Sequence, residues 1–203
     1  MSNLGSSPSG AQNDNMRSSI IEAAKELFAK FGYKKTTMED IAIALRKGKS
    51  SLYYYFKNKE EIFQAVIESE EKHLFSKLNE IVNTKMEPRE KFTQYVITRM
   101  ETILELDNYI KALKDEMLTN YEFLSRLKTS TEKQEAALLT KILEEGTSSN
   151  TFQVKNIPMA AVAIATALKG MEGPLLSSYY SFEDFKVQIE NTLNILFFGL
   201  IRR

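Results

Sequence analysis

From about residue 15 onward, apolar side chains recur at steps of three and four, and no stretch sustains the apolar–polar alternation of a strand. That period admits helices and little else. Interruptions are sparse, with 8 glycines and 4 prolines in 203 residues. The chain is therefore expected to be all-α, with about nine helices. The start is different in kind. Residues 1–14 are rich in Ser, Gly and Asn and hold one large apolar side chain, Leu4, after Met1. They read as a disordered tail, without the basic and apolar stretches of an export signal.

Local chemistry marks where the helices begin and end. Ile20, Ala24, Leu27, Phe28 and Phe31 form one stripe of a first helix from about Asn15. Gly32 follows, suited to the left-handed residue that closes a helix. Thr37 and Asp40 make a capping box for a short helix, Met38 to Leu45. A third short helix runs from Lys49 to Phe56. Asn58 and Glu61 then open a long helix reaching about Val82. Pro88 suits the first turn of the next helix, Asp107-Asn108 marks a turn, and a shorter helix follows from Tyr109. A helix from Tyr121 is expected to end at Gly146. Pro158 opens a helix apolar nearly all round, and Ser181 with Asp184 caps the last one.

Composition removes several kinds of chemistry. With no cysteine and one histidine, His73, there is no material for disulfides, thiolate metal sites, a multi-histidine centre or a Ser-His-Asp triad. No nucleotide-binding loop occurs, so neither an enzyme nor a cofactor is expected. No apolar run approaches the roughly 18 residues of a membrane span.

Formal net charge is zero, but the charges are unevenly placed. Residues 16–60 carry ten basic and five acidic side chains, net +5, while residues 61–203 carry net −4. Within the basic segment the second and third helices are joined only by Arg46-Lys47-Gly48, the tight geometry of a helix-turn-helix. The third helix opens with Lys49, Ser50 and Ser51, followed by Tyr53 and Tyr54, side chains that reach base edges and phosphates from a major groove. The same charge also suits an acidic protein partner or a membrane surface, the alternative reading of the module as part of a helical interaction protein.

Three stretches carry a resemblance: Ile20 to Tyr33, Thr36 to Ala42, and Ser51 to Ile62. In order and spacing they resemble the DNA-binding domain of the TetR family of bacterial transcriptional regulators. The resemblance implies a helix-turn-helix domain over residues 15–60 and a helical effector-binding and dimerisation domain over residues 61–203. It implies a ligand-responsive regulator, most often a repressor, that binds a palindromic operator as a homodimer in the bacterial cytoplasm, on the nucleoid. Residue by residue, Thr37 matches the family's phosphate-touching cap. Lys49, Ser50, Tyr53 and Tyr54 match DNA-facing positions, and Lys59 matches a phosphate-contacting lysine. Leu52 and Phe56 match buried positions.

The turn departs from the family's usual Ala-Gly-Val-Ser. Arg46 stands where glycine takes a left-handed conformation, at a cost of about 1 kcal/mol. Lys47 replaces a small apolar residue. Gly48 replaces a capping serine, a loss of a few tenths of a kcal/mol. Arg46 or Lys47 is expected to contact the phosphate backbone.

In the remaining chain, Phe92, Tyr95, Arg99, Met117, Phe123, Leu127 and Met171 mix aromatic, methionine and charged side chains as an effector pocket does. They point to an apolar or amphipathic small molecule. Dimerisation is expected through the last two helices, with Ala161, Ile164, Ala165, Leu168, Leu193, Phe197 and Ile201 as interface candidates. Ile195 and Phe198 widen the apolar surface of the final helix. His73 with Glu70 and Glu71 makes no convincing site.

Overall fold

The computed structural model describes residues 8–114, 121–172 and 182–199. These form nine helices in chain order: α1 (Pro8–Phe31), α2 (Met38–Ala44), α3 (Lys49–Tyr55), α4 (Lys59–Val82), α5 (Pro88–Glu105), α6 (Asp107–Lys114), α7 (Tyr121–Ser148), α8 (Ile157–Gly170) and α9 (Phe182–Phe198). No strand occurs among the described residues. The helices group into two compact units. One comprises the chain up to Glu71 together with Asp107–Leu124, and the other comprises Lys72–Leu106 and Ser125 onward.

The first unit is built around part of the stripe expected for α1, Leu27 being half-buried and Phe31 exposed. Ile20, Ala24 and Phe28 are buried with Ile41 and Ala42 of α2, Leu52 of α3, and Ile62, Phe63 and Val66 of α4. Phe28, Tyr33 and Phe63 form an aromatic cluster, with Phe28 edge-on to Phe63 at 5.3 Å. Helix α1 starts at Pro8, earlier than Asn15, since Pro8 supplies a preset φ at a first helical position.

Glu70 of α4 is fully buried, and two donors from the start of α6 close on it: Asn108 Nδ2 at 2.9 Å and the Tyr109 backbone N–H at 2.7 Å. Asn108 Nδ2 also donates to the Lys25 carbonyl of α1 at 3.2 Å. Burial pushes the Glu70 carboxyl above its ordinary range, and these donors pull it back. Asp107-Asn108 is thus the first turn of α6 rather than a separating turn, and the chain breaks at Leu106 instead.

The second unit has a charged centre. Arg99 of α5 is 1% exposed and lies between two buried carboxylates. Its Nε and Nη2 reach Glu135 of α7, and Nη2 donates to Glu172 at 2.6 Å. Burial pushes the Glu135 carboxyl upward, while Arg99 holds it down. Nearby, Lys91 is buried and donates to Glu145 at 2.5 Å. Charges this deep persist only when paired.

Helices α1 and α7 close on a left-handed residue. Gly32, at φ +82°, donates its N–H to the Phe28 carbonyl, the simple left-handed cap expected for it. Helix α7 does not stop at Gly146. It continues to Ser148 and closes on Asn150, at φ 59°, with Asn150 N–H on Thr147 O and Thr151 N–H on Gly146 O. Gly146 is needed for proximity: a Cβ there would collide with the Phe152 ring. Phe152 in turn stacks on Phe197 and meets Phe92 edge-on. Gly146→Ala is therefore expected to lower stability by about 1–3 kcal/mol despite alanine's better helix propensity. Thermal denaturation checks this, and an unchanged or raised Tm would contradict it.

Candidate nucleic-acid interface and effector-binding residues

Two short helices hold a set of exposed side chains on a rigid base. The Thr37 capping box forms in full: the Asp40 N–H donates to Thr37 Oγ1, while the Thr37 N–H and hydroxyl both donate to Asp40 Oδ2. Those bonds hold the Asp40 carboxyl below its ordinary range. Thr37 is exposed, so its hydroxyl stands at the surface while it caps α2.

The turn between α2 and α3 is a complete Schellman motif. Arg46 N–H donates to Ile43 O and Lys47 N–H to Ala42 O, both at 2.9 Å. Arg46 occupies the left-handed position at φ 54°, as expected from its register. The motif tolerates a residue with a Cβ and keeps its geometry, and both Arg46 and Lys47 are exposed. Gly48 makes no side-chain cap to α3.

Helix α3 divides its residues cleanly. Leu52 and the following Phe56 are buried, at 0% and 3% exposure. Lys49, Ser50, Tyr53 and Tyr54 are exposed, with Tyr54 at 74%. Ser51 is half-buried. Tyr54 meets Tyr55 edge-on at 5.0 Å. A surface recess of about 490 Å³ is lined by Met16, Lys47, Ser50, Ser51, Tyr54 and Tyr55. Met16 and Tyr55 join this edge without having been assigned to it from sequence. Arg17 lies 5.0 Å over the Phe56 ring, packing the middle of α1 against the residue that ends α3.

Lys59 is committed to the protein itself. Its ammonium donates to the Tyr33 carbonyl at 2.8 Å and the Thr36 carbonyl at 2.9 Å, and lies 4.3 Å from the Tyr33 ring centroid. Burial lowers its pKa. Two of its three donors are used. It ties the α1–α2 loop to α4, a role that spacing alone does not reveal.

This geometry, a basic helix edge presented by a capped, tightly turned helix pair, agrees with the comparisons. The profile of bacterial regulatory proteins of the tetR family matches residues 20–66. Residues 20–66 are thus similar to the DNA-binding domain of the TetR family. Over 148 residues, 70% of each chain, the protein is 27% identical to the transcriptional repressor KstR2 of Mycolicibacterium smegmatis. A solved transcriptional regulator of Cytophaga hutchinsonii superimposes with a TM-score of 0.75 at 26% identity, covering 88% of this chain and 94% of that one. The fold is also that of the regulator FadR of Bacillus subtilis, solved with stearoyl-CoA, at a TM-score of 0.68 and 21% identity over 91% and 99% of the two chains.

The rest of the chain separates the other candidates. Phe92, Tyr95 and Arg99 are buried on one face of α5, and Met171 is half-buried at the end of α8. The Tyr95 hydroxyl is buried without a hydrogen-bond partner among the described residues. The side chains of Met117, Phe123 and Leu127 lie outside the described residues. Of the interface candidates, Ala161, Ala165, Leu168 and Leu193 point into their own unit, at 0–6% exposure. Ile164 and Phe197 are half-buried, and Ile201 lies outside the described residues. The outward apolar face consists instead of Met159 and Val162 on α8 and Ile195, Leu196 and Phe198 on α9. When a helix is apolar all round, periodicity does not say which stripe faces in.

His73 is exposed, and no cluster of metal-ligating side chains occurs among the described residues. No described helix is long and apolar enough to cross a membrane. Arg46→Gly should relieve the left-handed strain and raise stability by about 1 kcal/mol. Chemical denaturation measures it, and a loss of stability would mean that the arginine side chain holds the turn.

Proposed function

We propose that the chain is a ligand-responsive repressor that binds a palindromic operator as a homodimer. The observation that carries this is the exposed basic and aromatic edge of α3, mounted on a buried base that fixes its register. Tyr53, Tyr54, Lys49 and Ser50 read bases and sugars in the major groove. Arg46 and Lys47 take phosphates, and the Thr37 hydroxyl joins them only by turning its one proton away from Asp40 Oδ2. Lys59 acts chiefly by ordering the loop before α2, with one donor left for a phosphate.

One such module reads only a half-site, and a two-fold axis supplies the second. The exposed Met159 and Val162 of α8 and Ile195 of α9 support a second copy as their occupant, since large apolar side chains are costly to leave in water. A small apolar or amphipathic effector then binds the body in one arrangement of the dimer better than in the other, and operator affinity shifts accordingly. The B. subtilis neighbour solved with stearoyl-CoA supports an amphipathic effector. Helix α4 is continuous from Lys59 to Val82, so its residues belong to both units, and its tilt is the means of transmission. The place of action is the cytoplasm, on chromosomal DNA.

Fluorescence anisotropy with DNA flanking the protein's own coding region tests the reading, and no preference over unrelated DNA at moderate salt would favour an acidic protein partner instead. Within it, Lys47→Ala should weaken binding to all sequences and reduce the salt slope by about one per protomer. Tyr54→Ala should leave the slope unchanged and cost about 1–3 kcal/mol of discrimination. Val162→Glu should yield monomers in sedimentation and strip operator affinity, whereas a dimeric Val162→Glu variant would move the interface elsewhere.

A further inference from the structure

The second unit contains an opening that the ion cluster around Arg99 does not occupy. It lies where the start of α5, the end of α7, the 151–154 loop, the first turns of α8 and the end of α9 meet. Its volume is about 1,050 Å³, at the upper end of the roughly 300–1,000 Å³ typical of small-molecule pockets. The walls are apolar and aromatic. Phe92, Phe152 and Phe197 form a mutually packed set with ring centroids 5.7–6.4 Å apart, and Leu143, Val154 and Ile164 extend it. Ala160 and Ala163, with no side chain beyond Cβ, leave the space open on the α8 side.

One charge meets this apolar space. Of the fourteen described residues lining it, Arg89 alone is charged, and none of them is acidic. Its guanidinium lies 5.1 Å from the Phe197 centroid and 4.7 Å from that of Phe198. Stacking occupies the faces of the guanidinium and leaves its in-plane N–H groups available. Arg89 forms no ion pair among the described residues. The neighbouring Lys91 is already neutralised by Glu145. Thr151 and Gln153 add polar groups to the lining.

We propose that this cavity binds an amphipathic anion, with an extended apolar portion among Phe92, Phe152 and Phe197 and a carboxylate, sulfonate or phosphate head on Arg89. A cationic head is disfavoured by Arg89 and finds no carboxylate in the lining. A neutral head leaves the guanidinium with only the rings. The assignment deepens the effector reading and rests on it for its regulatory consequence, though not for binding itself.

The test uses the full chain and three probes of equal chain length, titrated calorimetrically below their aggregation limits: hexadecanoate, hexadecanol and hexadecyltrimethylammonium. Hexadecanoate should bind one per chain and about tenfold more tightly than the other two. Arg89→Gln, at an exposed position, should remove that preference while retaining weak binding of all three, and Arg89→Lys should restore part of it. Ala163→Leu should weaken all three together. Equal affinity of the probes for the native chain, or an undiminished preference in Arg89→Gln, overturns the proposal. Operator release is measured separately. Hexadecanoate binding through Arg89 without DNA release upholds the cavity and refutes its effector role. Release that persists with unchanged hexadecanoate affinity in Arg89→Gln upholds an effector site elsewhere and refutes this one.

Discussion

The Glu70 carboxylate sits with no exposure to water, and an ionised carboxylate in that position costs several kcal/mol unless donors replace its hydration. The donors come from the first turn of α6, where the backbone N–H groups of a helix are otherwise unpaired. Glu70 thus caps α6 from another helix, and Asn108 passes the connection to the Lys25 carbonyl of α1. The aromatic cluster of Phe28, Tyr33 and Phe63, the Lys59 clasp on the α1–α2 loop and the exposed edge of α3 all belong to the unit this junction closes. A DNA-reading helix is useful only if its base is stiff, and here the stiffness comes from a buried charge that tolerates few other arrangements.

The second unit applies the same rule with another residue set. Arg99 supplies donors in a planar fork, and two carboxylates, Glu135 of α7 and Glu172 just beyond α8, take them. Paired burial of this sort fixes the register of α5 against α7 more strictly than apolar packing would, because a sliding helix would strand a charge. The aromatic cavity near Arg89 lies in the same unit and is apolar where the Arg99 cluster is ionic. One part specifies the packing of the helices, and the other leaves room among them.

Local chemistry made much of this legible. The Thr37 box, the Asn58 cap and the Gly32 stop are each decided within four or five residues, and sequence contains all the information they need, whereas the left-handed Arg46 was expected from the resemblance to the family's turn. The split of α3 into buried Leu52 and exposed Tyr54 follows from period and position. What escaped depends on partners distant in sequence. Nothing near Lys59 discloses that the Tyr33 and Thr36 carbonyls lie within its reach. Gly146 resembles a helix terminator until Phe152 is seen against it. Asn108 resembles a turn residue until Glu70 is found beneath it. On α8, apolar on every side, the burial of Ala161 and Ala165 rather than Met159 and Val162 was decided by neighbours, not by pattern.

The segment beginning at Asp107 returns to the unit that the chain left after Glu71. The DNA-reading unit is therefore discontinuous in sequence, although its reading helices are not. During synthesis the start of the chain can form its helix-turn-helix early, but Glu70 waits for its donors until α5 has been made and α6 has followed it off the ribosome. A fragment cut after the third helix, or even after α4, would contain every side chain assigned to DNA and still lack the residues that close its own interior.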